Sequence, residues 1–245
     1  MTSLRCHVRK YKDFLDYCER LIGKPIYDFD KDPDKPFINA AQFKKIVSLL
    51  RTKKNIILEG APGVGKTFLA RKIAYQLIGE LKDENIEMVQ FHQSYSYEDF
   101  VQGIRPSEEG GFERKNGIFF DFCSKARRSP DQQFVFIIDE INRGNISKIL
   151  GELMMLIEAD KRKKQYAIKL TYSNEDDERF FVPENVYLIG CMNTADRSLA
   201  IVDYALRRRF RFISIKPEFN EAFISFLEDK GISEENAELM VSKLK

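Results

Sequence analysis

Three short stretches of this chain hold residue types whose spacing suits phosphoanhydride chemistry. The first is Gly60-Ala61-Pro62-Gly63-Val64-Gly65-Lys66-Thr67, followed by Phe68. Glycines let backbone N–H groups close on phosphate oxygens, and the helix start that follows adds a favourable dipole. Lys66 is placed to reach the β- and γ-phosphates, and the Thr67 hydroxyl to ligand Mg²⁺. The second stretch is Asp139-Glu140. Asp139 is expected to hold Mg²⁺ through its water shell, because that ion prefers oxygen and sheds water reluctantly. Glu140 is placed to orient and polarise the attacking water, since phosphoryl transfer depends on positioning and charge stabilisation. The plainer alternative for this pair is an acidic helix start. Together the two stretches describe a hydrolase rather than a nucleotide sensor.

The third stretch is Met192-Asn193-Thr194-Ala195-Asp196-Arg197-Ser198, with Arg207-Arg208-Arg209 further on. One reading makes Asn193 to Asp196 a guanine clamp, with Asp196 accepting from the base, although Thr194 stands where such clamps carry lysine. The other makes Asn193 a polar sensor bonded to the γ-phosphate or the attacking water. The three arginines have two readings as well. They can cap a helix C-terminus, or they can act as fingers on a neighbouring subunit's nucleotide. Arg209 is the preferred finger, with Arg208 or Arg143 beside it.

Apolar runs must position these groups. Ile56-Ile57-Leu58, Phe134 to Ile138 and Val186 to Cys191 read as strands buried on both faces, which is the pattern of a parallel sheet. Ligands in such sheets sit at the carboxyl ends of the strands, where all three stretches begin. Phe68 to Ile78, Asn39 to Leu50 and Ser147 to Ile157 have helical spacing, as does Tyr11 to Ile22. Asp28 to Pro36 reads as a linker. About 75 residues separate the glycine loop from Asp139, more than one crossover needs, so an insertion is expected. Gly110 to Phe112 and Asn116 to Phe120 read as its hairpin. Gln165 to Tyr172 and Arg179 to Val182 read as a second hairpin around the acidic tip Glu175 to Glu178. The basic run Lys161 to Lys164 reads as a solvated helix end, or as a contact to DNA or a partner. His92 is given a structural role.

Taken together, Gly60–Thr67, Asp139 to Asn145, and Met192–Ser198 with Asp203 to Phe210 resemble the McrB family of AAA+ motor subunits. Phe91 to Phe100 is shared with the related MoxR ATPases. The resemblance implies an AAA+ three-layer α/β sandwich with a parallel sheet, inserted hairpins and a partial helical lid. It divides the chain into an N-terminal helix and linker (1–36), the nucleotide-binding core (37–217) and the start of a lid (218–245). It further implies a hexameric ring, hydrolysis of GTP in preference to ATP with Mg²⁺, and a McrC-like endonuclease partner. Asn142 and Arg143 then belong to a loop that senses nucleotide and touches the adjacent subunit. A DNA-reading domain and the rest of the lid are expected to lie elsewhere. A MoxR-like ATPase that remodels proteins, and a nucleotide-switched scaffold with little turnover, are the alternatives.

Composition agrees. The 245 residues carry a formal charge of +2, which gives no global nucleic-acid footprint. Cys6, Cys18, Cys123 and Cys191 lack metal spacing and read as reduced thiols. No membrane-length apolar run or signal pattern is present in the sequence, so a cytoplasmic location is expected.

Overall fold

Alternation in the apolar runs builds the molecule. The computed structural model describes residues 26–108, 110–195 and 204–244. Its elements run α1 (Ala40–Lys53), β1 (Asn55–Gly60), α2 (Lys66–Ile78), β2 (Ile86–Gln90), α3 (Tyr97–Phe100), β3 (Gln102–Pro106), β4 (Phe112–Asn116), α4 (Ile118–Arg128), β5 (Phe134–Asp139), α5 (Ile146–Leu150), α6 (Leu153–Leu156), β6 (Val186–Asn193), α7 (Tyr204–Arg209), β7 (Arg211–Ser214), α8 (Glu221–Asp229) and α9 (Glu234–Leu244). Five strands form one sheet in the order β2-β5-β6-β1-β7, and every pairing is parallel. Along β5, Phe134, Phe136 and Ile138 enter one core, while Val135 and Ile137 enter the other. That period of two is the strand pleat. Leu69, Ile73 and Leu77 of α2 and Phe43, Ile46 and Leu50 of α1 cover the second face. Phe119, Phe122 and Cys123 of α4 cover the first, with α5 and α6. The result is the expected three-layer α/β sandwich, because strands buried on both faces require helices on both.

Several boundaries differ from expectation. The insertion is indeed a hairpin, β3 with β4 in antiparallel register, but Asn116-Gly117 does not turn within it. Gly117 instead starts α4, and a Cβ there would lie 2.3 Å from the Phe100 carbonyl carbon. Close backbone approach, not turn formation, selects that glycine. The helix expected over 147–157 breaks at Gly151, where φ is 49°. The second hairpin reduces to one bridge between Ile168 and Phe180, and its acidic tip is held by the Arg114–Asp177 ion pair. The presumed linker is packed: Tyr27 and Phe29 are buried, and Asp32 pairs with Lys72 at 2.6 Å. Aspartate and proline mark a polar surface there, but two aromatics anchor it. The helix expected at 11–22 lies outside the described residues.

Candidate functional site

The loop after β1 leaves the carboxyl edge of the sheet. Gly63 and Gly65 have φ of 81° and 79°, conformations that favour glycine. Gly60 is constrained by space, since a Cβ would lie 2.3 Å from the Ile215 carbonyl oxygen. Lys66 opens α2 and is buried. Its ammonium donates to the carbonyls of Gly60 (3.1 Å) and Ala61 (2.8 Å) and to Asn193 Oδ1 (2.6 Å). Burial pushes its pKa below the ordinary lysine value, opposed by Cys191, Glu140 and Asp139. Beside it the Thr67 hydroxyl donates to Asp139 Oδ1 at 3.2 Å. A hydroxyl and a carboxylate in contact at the loop are the two protein oxygens a largely hydrated Mg²⁺ accepts. The residues therefore fit that ion.

Glu140 follows in a left-handed turn, φ 50° and ψ 42°, which costs a non-glycine residue about 1–3 kcal/mol. Four bonds hold the turn. The Glu140 N–H donates to Asp139 Oδ1 at 3.1 Å. The Asn193 amide donates to Glu140 Oε1, and Arg143 Nε to Oε2 at 3.0 Å. Asn142 Nδ2 donates to the Asn193 carbonyl at 3.4 Å. The buried Oδ1 of Asn142 has no hydrogen-bond partner among the described residues. Thr194 N–H donates to the Gly60 carbonyl at 3.1 Å, so the end of β6 is laced to the loop. Asn193 thus bonds both Lys66 and Glu140 at the end of β6, which lies between β1 and β5. That placement is the one expected of the polar sensor; Asp196 lies outside the described residues.

Lys66, Thr67, Asp139, Glu140, Asn142, Arg143 and Asn193 therefore converge. Arg208 and Arg209 do not join them. Both pair with Glu158, at 3.2 and 2.8 Å, near Asn55 at the opposite, amino edge of the sheet.

Sequence reasoning missed two features. A cleft of about 900 Å³ adjoins the loop, walled by Pro62, Phe68, Phe37, Ile38, Phe223 and Phe226. Phe37 packs edge-on against Phe223 and Phe226, with centroids 5.4 and 5.5 Å away. The Asn220 side chain donates to the Phe37 carbonyl at 2.6 Å. These groups come from distant segments that share no local pattern. The second is Arg162, read as part of a solvated basic run but 1% exposed. Its neighbours in the run are lysines; the change of side chain at 162 was the available signal.

Residues 55–210 match the AAA domain (dynein-related subfamily) family. The chain belongs to that AAA family. This AAA domain is 56% identical over 209 residues to the type IV methyl-directed restriction enzyme EcoKMcrB subunit of Escherichia coli (strain K12), covering 85% of this chain and 45% of that protein. It is 27% identical over 204 residues to the type II restriction enzyme BsuMI component YdiS of Bacillus subtilis (strain 168), covering 67% and 58%. The chain spans about half the length of the curated relatives it matches. The solved structure of C. elegans PCH-2 aligns with a TM-score of 0.49 and 18% identity over 84% of this chain and 51% of that one. The McrB-type resemblance is borne out by the first of these relatives, and membership supports nucleoside-triphosphatase activity in this AAA domain. No helix among the described residues is long and apolar enough to cross a membrane.

Proposed function

We propose that this AAA domain hydrolyses GTP in preference to ATP and serves as the motor of a modification-dependent restriction system. The observation that carries the chemistry is the bonded chain Lys66–Asn193–Glu140–Arg143 beside the Thr67–Asp139 pair. In this reading the glycine-loop N–H groups and Lys66 hold the β- and γ-phosphates. Thr67 and Asp139 hold Mg²⁺, which when bound neutralises phosphate charge. Glu140, fixed on both carboxylate oxygens, orients a water for attack on the γ-phosphorus as the bond to the bridging oxygen breaks. Asn193 links that carboxylate to Lys66, so one side chain senses both the phosphate end and the water-orienting carboxylate. The purine sits in the aromatic cleft under Phe37 and Phe223. The arginines at 208 and 209 act on an adjacent copy in a homo-oligomeric ring, and DNA is reached through another domain or partner. Two restriction-enzyme relatives support a McrC-like endonuclease as the driven partner.

The test is kcat/KM for GTP and ATP on one preparation, with Glu140→Gln as the blank. The expected result is at least a tenfold preference for GTP, about 1.4 kcal/mol, with Glu140→Gln retaining nucleotide but losing turnover. Normal hydrolysis by that variant would remove Glu140 from its role. A preference for ATP would remove the GTP reading.

A further inference from the structure

A buried bracket occupies the amino edge of the sheet, remote from the glycine loop. Asn55, fully buried at the start of β1, donates its amide to the carbonyls of Ile157 (2.8 Å) and Arg209 (3.0 Å). Its oxygen accepts from Arg162. Arg162 also donates to the carbonyls of Ile157, at 3.0 Å, and Val186. This bracket ties the backbone after α6 to the end of α7. Glu158, the next residue after Ile157, then reaches both arginines with one oxygen, Arg209 at 2.8 Å and Arg208 at 3.2 Å. The Arg209 side chain is 11% exposed and that of Arg208 is 65% exposed. The guanidinium that reaches solvent is therefore that of Arg208. The length of β1 puts this edge roughly 17 Å from Gly60. These arginines cannot serve the phosphates held by their own loop.

We infer that Glu158 is a positioning residue: seated on the Asn55–Arg162 bracket, it anchors Arg209 and aims Arg208 at the triphosphate of an adjacent copy. This rests on the hydrolytic reading above and adds a division of labour, with Arg209 the anchor and Arg208 the tip. A long cationic side chain aimed by a fixed carboxylate loses less rotamer entropy when it meets the transition state. The bracket supplies the fixity, because its polar groups are buried and bonded to backbone.

Glu158→Gln keeps the size of the side chain and removes its charge. The expected result is a fall in kcat of about tenfold or more, with nucleotide affinity unchanged. The deciding experiment co-expresses Glu158→Gln with Glu140→Gln. Each alone turns over poorly, but in a ring an intact Glu140 site facing an intact Glu158 neighbour arises at about a quarter of interfaces, and activity returns there. A merely structural defect would not be rescued by a neighbour. Unchanged kcat in Glu158→Gln overturns the proposal. So does failure of the mixture to recover when Arg208→Ala with Glu140→Gln does recover. Failure of that second mixture removes the trans reading itself, and the proposal with it.

Discussion

Lys66 shows how a single side chain carries a conflict between burial and charge. All three of its N–H donors are taken by the Gly60 and Ala61 carbonyls and Asn193, yet burial still lowers its pKa. Bound phosphate favours the charged form, so affinity falls as rising pH strips the ammonium. With the pKa lowered, that loss begins at a lower pH than for an ordinary lysine. We expect Lys66→Ala to lose nucleotide binding. We expect wild-type affinity to decline through the alkaline range, while Lys66→Arg, whose guanidinium stays charged, shows no such decline. Titration of a fluorescent triphosphate against pH measures this; a flat wild-type profile would sink it. At the same scale, the place of Glu140 at the end of a buried strand was readable from the apolar run before it. Its left-handed backbone was not, because φ at a non-glycine is imposed by what the turn must bond.

At the scale of elements, the amino edge of the sheet depends on Asn55 more than any apolar residue suggests. Removing its side chain takes one donor from each of the Ile157 and Arg209 carbonyls and deprives buried Arg162 of an acceptor. Burial already pulls the Arg162 pKa down to about 10, which leaves it charged at neutral pH and costly to strand. Asn55→Ala should destabilise the fold by about 2–4 kcal/mol in chemical denaturation. A loss below about 1 kcal/mol would mean the bracket carries little. The strands were legible from their apolar runs and α1 from its helical spacing, capped by Asn39. Gly117 was misassigned as a turn because sequence does not distinguish a glycine chosen for φ from one chosen for close packing. Gly117 is the second kind, pressed against Phe100.

Across the whole molecule, the cleft beside the loop is assembled from pieces that local pattern cannot connect. Phe37 precedes the sheet, Pro62 and Phe68 follow its first strand, and Phe223 comes after its last. The Asn220–Phe37 bond spans 183 residues. An apolar wall contributes equally to ground and transition states, so it sets KM and leaves kcat largely alone. Phe223→Ala should therefore raise KM for the triphosphate about tenfold and change kcat little in steady-state assays. A fall in kcat at constant KM would show that Phe223 does not act as part of this wall.

The glycine loop with its lysine and hydroxyl, and the two acids at a strand end, were legible from the sequence alone, because each is a short local pattern after an apolar run. The same is true of the sheet, since two-sided burial is written into continuous apolar runs. Only the tertiary structure decided that Asn193 bonds Lys66 and Glu140, since that depends on β6 lying between β1 and β5. It also decided that Arg162 is interior and that Arg208 and Arg209 sit at the far edge beside Glu158. A charged residue reads as surface in sequence. Its burial becomes affordable only when backbone carbonyls from separate strands and turns converge on it, and that convergence has no local signature.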